Sequence, residues 1–115
     1  MNYSLTLRKK INNSKIVFSK DELSKILSCY SLGVSKGTWK DYAINSNKNE
    51  ANFFIFKHSY ALPDCILTKS KKIKKNKIRF CLNSSNKKHN IFNKIDDLIT
   101  VLKRNQFRLI KKGAW

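Results

Sequence analysis

Acid, proline, glycine and cysteine are all scarce in this chain: seven Asp and Glu, one proline, three glycines and three cysteines among 115 residues. With so few acids, paired carboxylates for acid–base work are not to be found, and neither a nucleophile–base set nor a glycine-rich phosphate loop is present. An enzyme is therefore the least favoured class, and no cofactor is expected. Cys29, Cys65 and Cys81 form no C-x-x-C pair and no Cys/His cluster with metal spacing, so reduced, buried thiols are expected and no metal. His58 and His89 stand apart from them in sequence. No stretch approaches the ~18 consecutive apolar residues of a membrane helix. Residues 1–15 (MNYSLTLRKKINNSK) carry four positive charges and no apolar run longer than two, so they read as a basic arm, neither leader nor membrane span. A cytoplasmic protein without membrane partners is the expectation.

Positive charge is what the chain has in excess, with a formal net charge of +18. Two readings fit. Twenty-one of the 25 basic residues are lysine, and asparagine and isoleucine are also abundant, which is the drift expected of AT-rich codons. The same surface nevertheless attracts polyanions whatever its origin. Arginine's planar fork suits base-edge and carboxylate recognition, and only Arg8, Arg79, Arg104 and Arg108 are available, so contact with nucleic acid would not be sequence-specific.

The most legible stretch is Phe18 to Ile44. Ser19 and Glu22 have capping-box spacing, which starts a helix at Lys20, and Phe18 and Leu23 are placed for a hydrophobic staple. Asp21 and Glu22 put negative charge at the positive end of the helix dipole. Leu23, Ile26, Leu27, Tyr30 and Val34 form one apolar stripe, and Gly37 is the natural left-handed stop. On the strand that follows, Trp39, Asp41 and Ala43 should face one way and Lys40, Tyr42 and Ile44 the other.

This segment resembles the family of short alphaproteobacterial proteins named domain of unknown function 2794, which shows an Asp/Glu-Leu-x-x-Ile-Leu helix followed by Gly-x-Trp-Arg-Asp-Tyr-Ala-Ile. The matching residues are Glu22, Leu23, Ile26, Leu27, Tyr30, Gly37, Trp39, Asp41, Tyr42, Ala43 and Ile44, with Lys40 in place of the arginine. The likeness continues more thinly through Ala51, Phe53, Phe56, Pro63, Lys69 and Lys72 to Leu98, Val101 and Leu102. Ala61 and Thr68 stand where the family has glutamates, and Ile95-Asp96 where it has Gly-His. The resemblance implies no activity. It does make Trp39, Lys40, Asp41 and Tyr42 a candidate partner-binding or structural corner.

Further along, Asn45 to Asn49 reads as a hairpin loop, and Ala51 to Phe56 as a central strand because both faces are apolar. Pro63 opens a third strand, Asp64 to Lys69, at a bend or an edge. Lys69 to Arg79 holds seven positive charges and no acid. It reads as a solvated hairpin loop or as a phosphate-contacting one, the candidate nucleic-acid site being Lys69, Lys71, Lys72, Lys74, Lys75, Lys77 and Arg79. Ile78, Phe80 and Leu82 mark a fourth strand, and residues 83–89 another loop. Asn93 as N-cap, with Ile95, Leu98, Ile99 and Leu102 at helical spacing, marks the last helix.

The expected architecture is α+β: one domain over residues 16–105, between the basic arm and a basic tail at 106–115, ordered α-β-β-β-β-α. A four-stranded antiparallel meander carries both helices on one face. Trp39, Tyr42, Phe53, Phe54, Phe56 and Phe80 are read mainly as core rather than as a base-stacking platform. The leading functional reading is a small basic module associating with RNA or DNA through lysines. The alternative is a protein-interaction or adaptor domain whose charge is codon drift.

Overall fold

The computed structural model describes residues 15–58, 62–72, 77–85 and 89–113. Helix α1 (Lys20–Ser35) starts as the capping box requires: the Glu22 amide donates to Ser19 Oγ at 3.1 Å and the Ser19 amide to Glu22 Oε1 at 2.7 Å. It ends at Lys36 with Gly37 left-handed at φ 77°. The Gly37 amide donates to the Val34 carbonyl and the Thr38 amide to the Gly33 carbonyl, the paired bonds of a Schellman stop.

Five strands follow, β1 (Asp41–Ser46), β2 (Glu50–Phe56), β3 (Cys65–Lys72), β4 (Lys77–Ser84) and β5 (His89–Phe92), and then helix α2 (Ile95–Gly113). The sheet is an antiparallel meander in the order β1-β2-β3-β4-β5. Four strands were expected, and the fifth corrects that expectation. His89–Phe92 is only four residues long, in a polar stretch whose apolar pair Ile91–Phe92 shows no alternation to read. It pairs with β4, with Phe92 opposite Phe80 and His89 opposite Asn83. Of the bend and the edge expected beside Pro63, the bend is found, at Asp64; β3 is no edge, since it lies in the middle of the sheet, and it runs from Cys65 to Lys72.

Period-two alternation gives the sheet two unlike faces. Ala51, Phe53 and Ile55 of β2, Cys65 and Leu67 of β3, and Phe80 and Leu82 of β4 are buried on one of them. Both helices pack there, with Ile26 and Cys29 of α1 and Ile95, Leu98, Ile99 and Leu102 of α2 in one core cluster, while Leu23 and Leu27 lie half-buried at its margin. The two helices are also joined by Lys25, whose Nζ lies 2.8 Å from Asp96 and 3.3 Å from Asp21. That network is solvent-exposed and contributes little stability.

Lys69 continues the buried row on β3, where its pairing partner is Ala51 on one side and Phe80 on the other. Its ammonium donates to Glu22 Oε1 at 2.8 Å and to the Val17 carbonyl at 2.9 Å. Both side chains are largely shielded, 13% and 17% exposed, so this pair fastens the first turn of α1 to the sheet.

Ile26→Ala and Leu98→Ala should each cost about 2–5 kcal/mol, because both side chains are fully buried and leave cavities. Leu27→Ala should cost less than either, since Leu27 is half-buried. Urea denaturation midpoints at constant slope check the ranking.

Candidate functional site

The Trp39 corner is built differently from its sequence reading. Trp39 does not share a face with Asp41; it precedes β1, and its indole is buried in the helix-side core, parallel to the Tyr30 ring at a centroid distance of 6.3 Å. Its Nε1 donates to Asp64 Oδ2 at 3.2 Å. Tyr42 stacks on Phe53 at 5.0 Å with its plane tilted by 5°, and meets the Tyr30 edge at 5.0 Å. It is nevertheless 41% exposed. Asp41 is exposed and, among the described residues, accepts from the Tyr42 amide next to it, at 2.8 Å. Lys40 is exposed too, and its amide donates to the Phe56 carbonyl. Partial burial, then the charge of Asp41, pushes the Tyr30 phenol above its ordinary value.

The acid that organises this corner is Asp64, which the sequence reading missed. Besides the indole, its carboxylate accepts from Ser85 Oγ at 3.0 Å, stands 3.5 Å from Lys57 Nζ and contacts the Cys65 thiol. Its backbone is committed as well, the amide to the Ile55 carbonyl and the carbonyl to the Ser85 amide. Pro63-Asp64 at a strand start was the available signal, since an acid beside a proline at a chain reversal commonly accepts from nearby donors.

The basic run is a hairpin rather than a loop. Lys69 to Lys72 and Lys77 to Arg79 are ladder residues of β3 and β4, and Lys74 and Lys75 lie outside the described residues. Lys69 is occupied with Glu22 on the helix side, so among the described cations of the run it has a structural task. Lys71 is exposed opposite Ile78. Lys72 and Lys77 pair directly across the ladder, and Ser70 pairs with Arg79 two positions along. Lys72, Lys77 and Arg79 therefore line the sheet face opposite the helices, around a recess of about 180 Å³ that also involves Ile78 and Asn93. No acid among the described residues pairs with Lys71, Lys72, Lys77 or Arg79.

This second face carries no described helix. Asn45, Asn52 and Thr68 form a hydrogen-bonded row across β1, β2 and β3: Asn45 Nδ2 donates to Asn52 Oδ1 at 3.3 Å, and Asn52 Nδ2 to Thr68 Oγ1 at 3.0 Å and to Glu50 Oε2 at 2.6 Å. Phe54, Phe56 and Ile66 are half-buried at one end of it, the cations at the other. The aromatic set is thus divided where most of it was expected in the core: Trp39, Phe53 and Phe80 are buried there, Tyr42 is only partly covered, and Phe54 and Phe56 face away from it. Between the two ends, Cys81 and His89 meet, although they stand apart in sequence. Among the described residues no group of three or more His, Cys, Asp or Glu could hold a metal ion, and no helix is long and apolar enough to cross a membrane.

Asp64→Ala should cost about 2–4 kcal/mol, since it strips the acceptor from a buried indole N–H and from Ser85. Asp41→Ala, by contrast, should stay within about 1 kcal/mol, as expected of an exposed acid with one local bond. Thermal unfolding of the two variants side by side checks the contrast.

Residues 16–102 match the model of a family described as protein of unknown function, DUF2794. No curated protein and no solved structure matches the chain. The match spans α1, all five strands and α2 from Ile95 to Leu102, and on that extent the chain belongs to the DUF2794 family.

Proposed function

We propose that this protein is a binding module, not an enzyme, that associates with RNA or DNA without sequence specificity, through the cations at the β3–β4 end of the sheet. One observation carries the reading: Lys71, Lys72, Lys77 and Arg79 cluster there with no acid partner among the described residues, and Lys72 and Lys77 stand directly opposite each other. Like charges paired across a ladder destabilise it, and a phosphate between them turns that repulsion into attraction. Three of the four are lysines, which neutralise backbone charge but do not fix the geometry that reads base edges. The open face supplies side-chain amides and hydroxyls beside the cations, and Phe54 and Phe56 beyond them, so a single strand could extend along β3. The reading extends to a cytoplasmic location, and the motif resemblance adds an alphaproteobacterial lineage.

A second reading rests on β1. It is an edge strand, almost wholly exposed, with Tyr42 and Ile44 41% and 47% exposed on it. An open edge of six residues is a template for strand addition by a protein partner, which is the adaptor alternative.

Titration of fluorescent single- and double-stranded oligonucleotides near about 150 mM salt decides between them. Micromolar binding is expected, with the logarithm of affinity falling by about 0.7–0.9 per phosphate neutralised as log salt rises. Replacing Lys72, Lys77 and Arg79 by glutamine should flatten that slope by roughly 2–3. No binding in the micromolar range, together with protein partners retained after nuclease treatment, would overturn the first reading in favour of the second.

A further inference from the structure

β5 brings Cys81 and His89 together. Ile91 is directly opposite Cys81 and His89 opposite Asn83, which makes His89 the diagonal neighbour of Cys81 on the open face. There the thiol sulfur lies 3.4 Å from His89 Nδ1 and 3.5 Å from Nε2. Asn83 Oδ1 contacts Nδ1 of the same ring. The two distances are nearly equal, so the sulfur lies over the ring face; a carboxamide oxygen only accepts, so Nδ1 carries the proton of the neutral imidazole and Nε2 is the nitrogen with a free lone pair, which a turn of the ring brings to the thiol. Beside the pair is a groove of about 310 Å³ whose walls include Glu50, Thr68, Ser70 and Arg79.

We propose that Cys81 is the reactive thiol of this chain, a site of reversible modification by small anionic disulfides, with His89 as its base and Asn83 as a positioning residue. The proposal does not rest on the nucleic-acid reading, although the two share Arg79. The groove is large enough for one half of a small disulfide, and Arg79, two residues from Cys81 on the same strand, supplies a cation for its carboxylate. Partial burial raises the thiol above its ordinary value and Arg79 opposes that rise, so the resting group is protonated and needs a base. Among the described residues, the charged and titratable groups around it are Arg79 from β4, His89 from β5 and Glu50 from β2, while β3 contributes the neutral Thr68 and Ser70.

In the reaction, the Cys81 proton passes to His89 Nε2 and the sulfur attacks one sulfur of the disulfide. The old S–S bond breaks as the new one forms, and the departing thiolate takes the proton from His89. Cys81 is thereby oxidised to a mixed disulfide and the departing half reduced to a thiol. Cys29 and Cys65 serve as internal controls: both are buried, burial pushing Cys29 up to about 11 and burial with the charge of Asp64 raising Cys65 as well.

The test uses the native full-length chain and dithiobis(nitrobenzoate), an anionic aromatic disulfide, with the released thiol followed by absorbance and the labelled residue mapped by mass. One thiol should react quickly, Cys81, with Cys29 and Cys65 protected until the protein unfolds. His89→Gln should slow the reaction about tenfold or more at neutral pH and change the shape of its pH profile. Asn83→Asp, which strengthens the base by placing a charge on Nδ1–H, should speed it several-fold. Continued protection of Cys29 and Cys65 verifies that each variant is folded. Labelling of Cys81 no faster than of the two buried thiols would overturn the proposal. So would a rate and pH profile unchanged in His89→Gln, or a rate in Asn83→Asp no higher than in the parent.

Discussion

The Asp64 carboxylate holds together parts of the chain that are otherwise far apart. It accepts from Trp39 between α1 and β1 and from Ser85 after β4, and it stands beside Lys57 after β2. Its own backbone bonds lock the same end of β2, β3 and the chain beyond β4. Trp39, pinned there, and Phe53 of β2 both meet the Tyr30 ring of α1, which ties the helix to this side of the core. At the other end of β3, Lys69 performs the matching task by gripping Glu22 in the first turn of α1. A carboxylate at the start of one strand and an ammonium near its end thus fix the helix over the sheet, while the hydrophobic area beneath supplies most of the driving force.

Once both helices are committed to one face, the other is defined by what remains. Charges appear on the helix face only where they are paired or exposed, as Lys69 and Lys71 show. On the opposite face Lys72, Lys77 and Arg79 stand together with hydroxyls, amides, a thiol and an imidazole. A sheet needs only one apolar face to fold, so this collection of polar groups is not required by the core.

Local signals in the sequence identified the parts of the fold with strong periodicity. The Ser19–Glu22 box and Gly37 gave both ends of α1, and apolar side chains on both faces of β2 showed it to be an interior strand. The shared core of the two helices followed from their leucine and isoleucine stripes. What was illegible depended on pairing. β5 has four residues, too few for a period, and is held by its ladder with β4 rather than by propensity. Overlooking it also hid the candidate thiol site, because Cys81 and His89 become neighbours only through that register. The weight given to Asp41 instead of Asp64 has a similar cause: the motif was dense around Asp41, but the hydrogen-bond partners of an acid depend on tertiary folding, and Trp39 turns toward residue 64. Lys69 looked like its neighbours in a run of cations and differs by reaching Glu22 and the Val17 carbonyl on the helix side.

The central claim is that helix packing on one face leaves the other as the working surface. Backbone amide resonances followed by nuclear magnetic resonance during titration with a short single-stranded oligonucleotide, at about 150 mM salt, test it most directly. The account predicts shifts concentrated at Lys72, Lys77, Arg79 and their neighbours on β3 and β4, with those of α1 and α2 unmoved. Shifts concentrated on the helices, or none at saturating oligonucleotide, would contradict it.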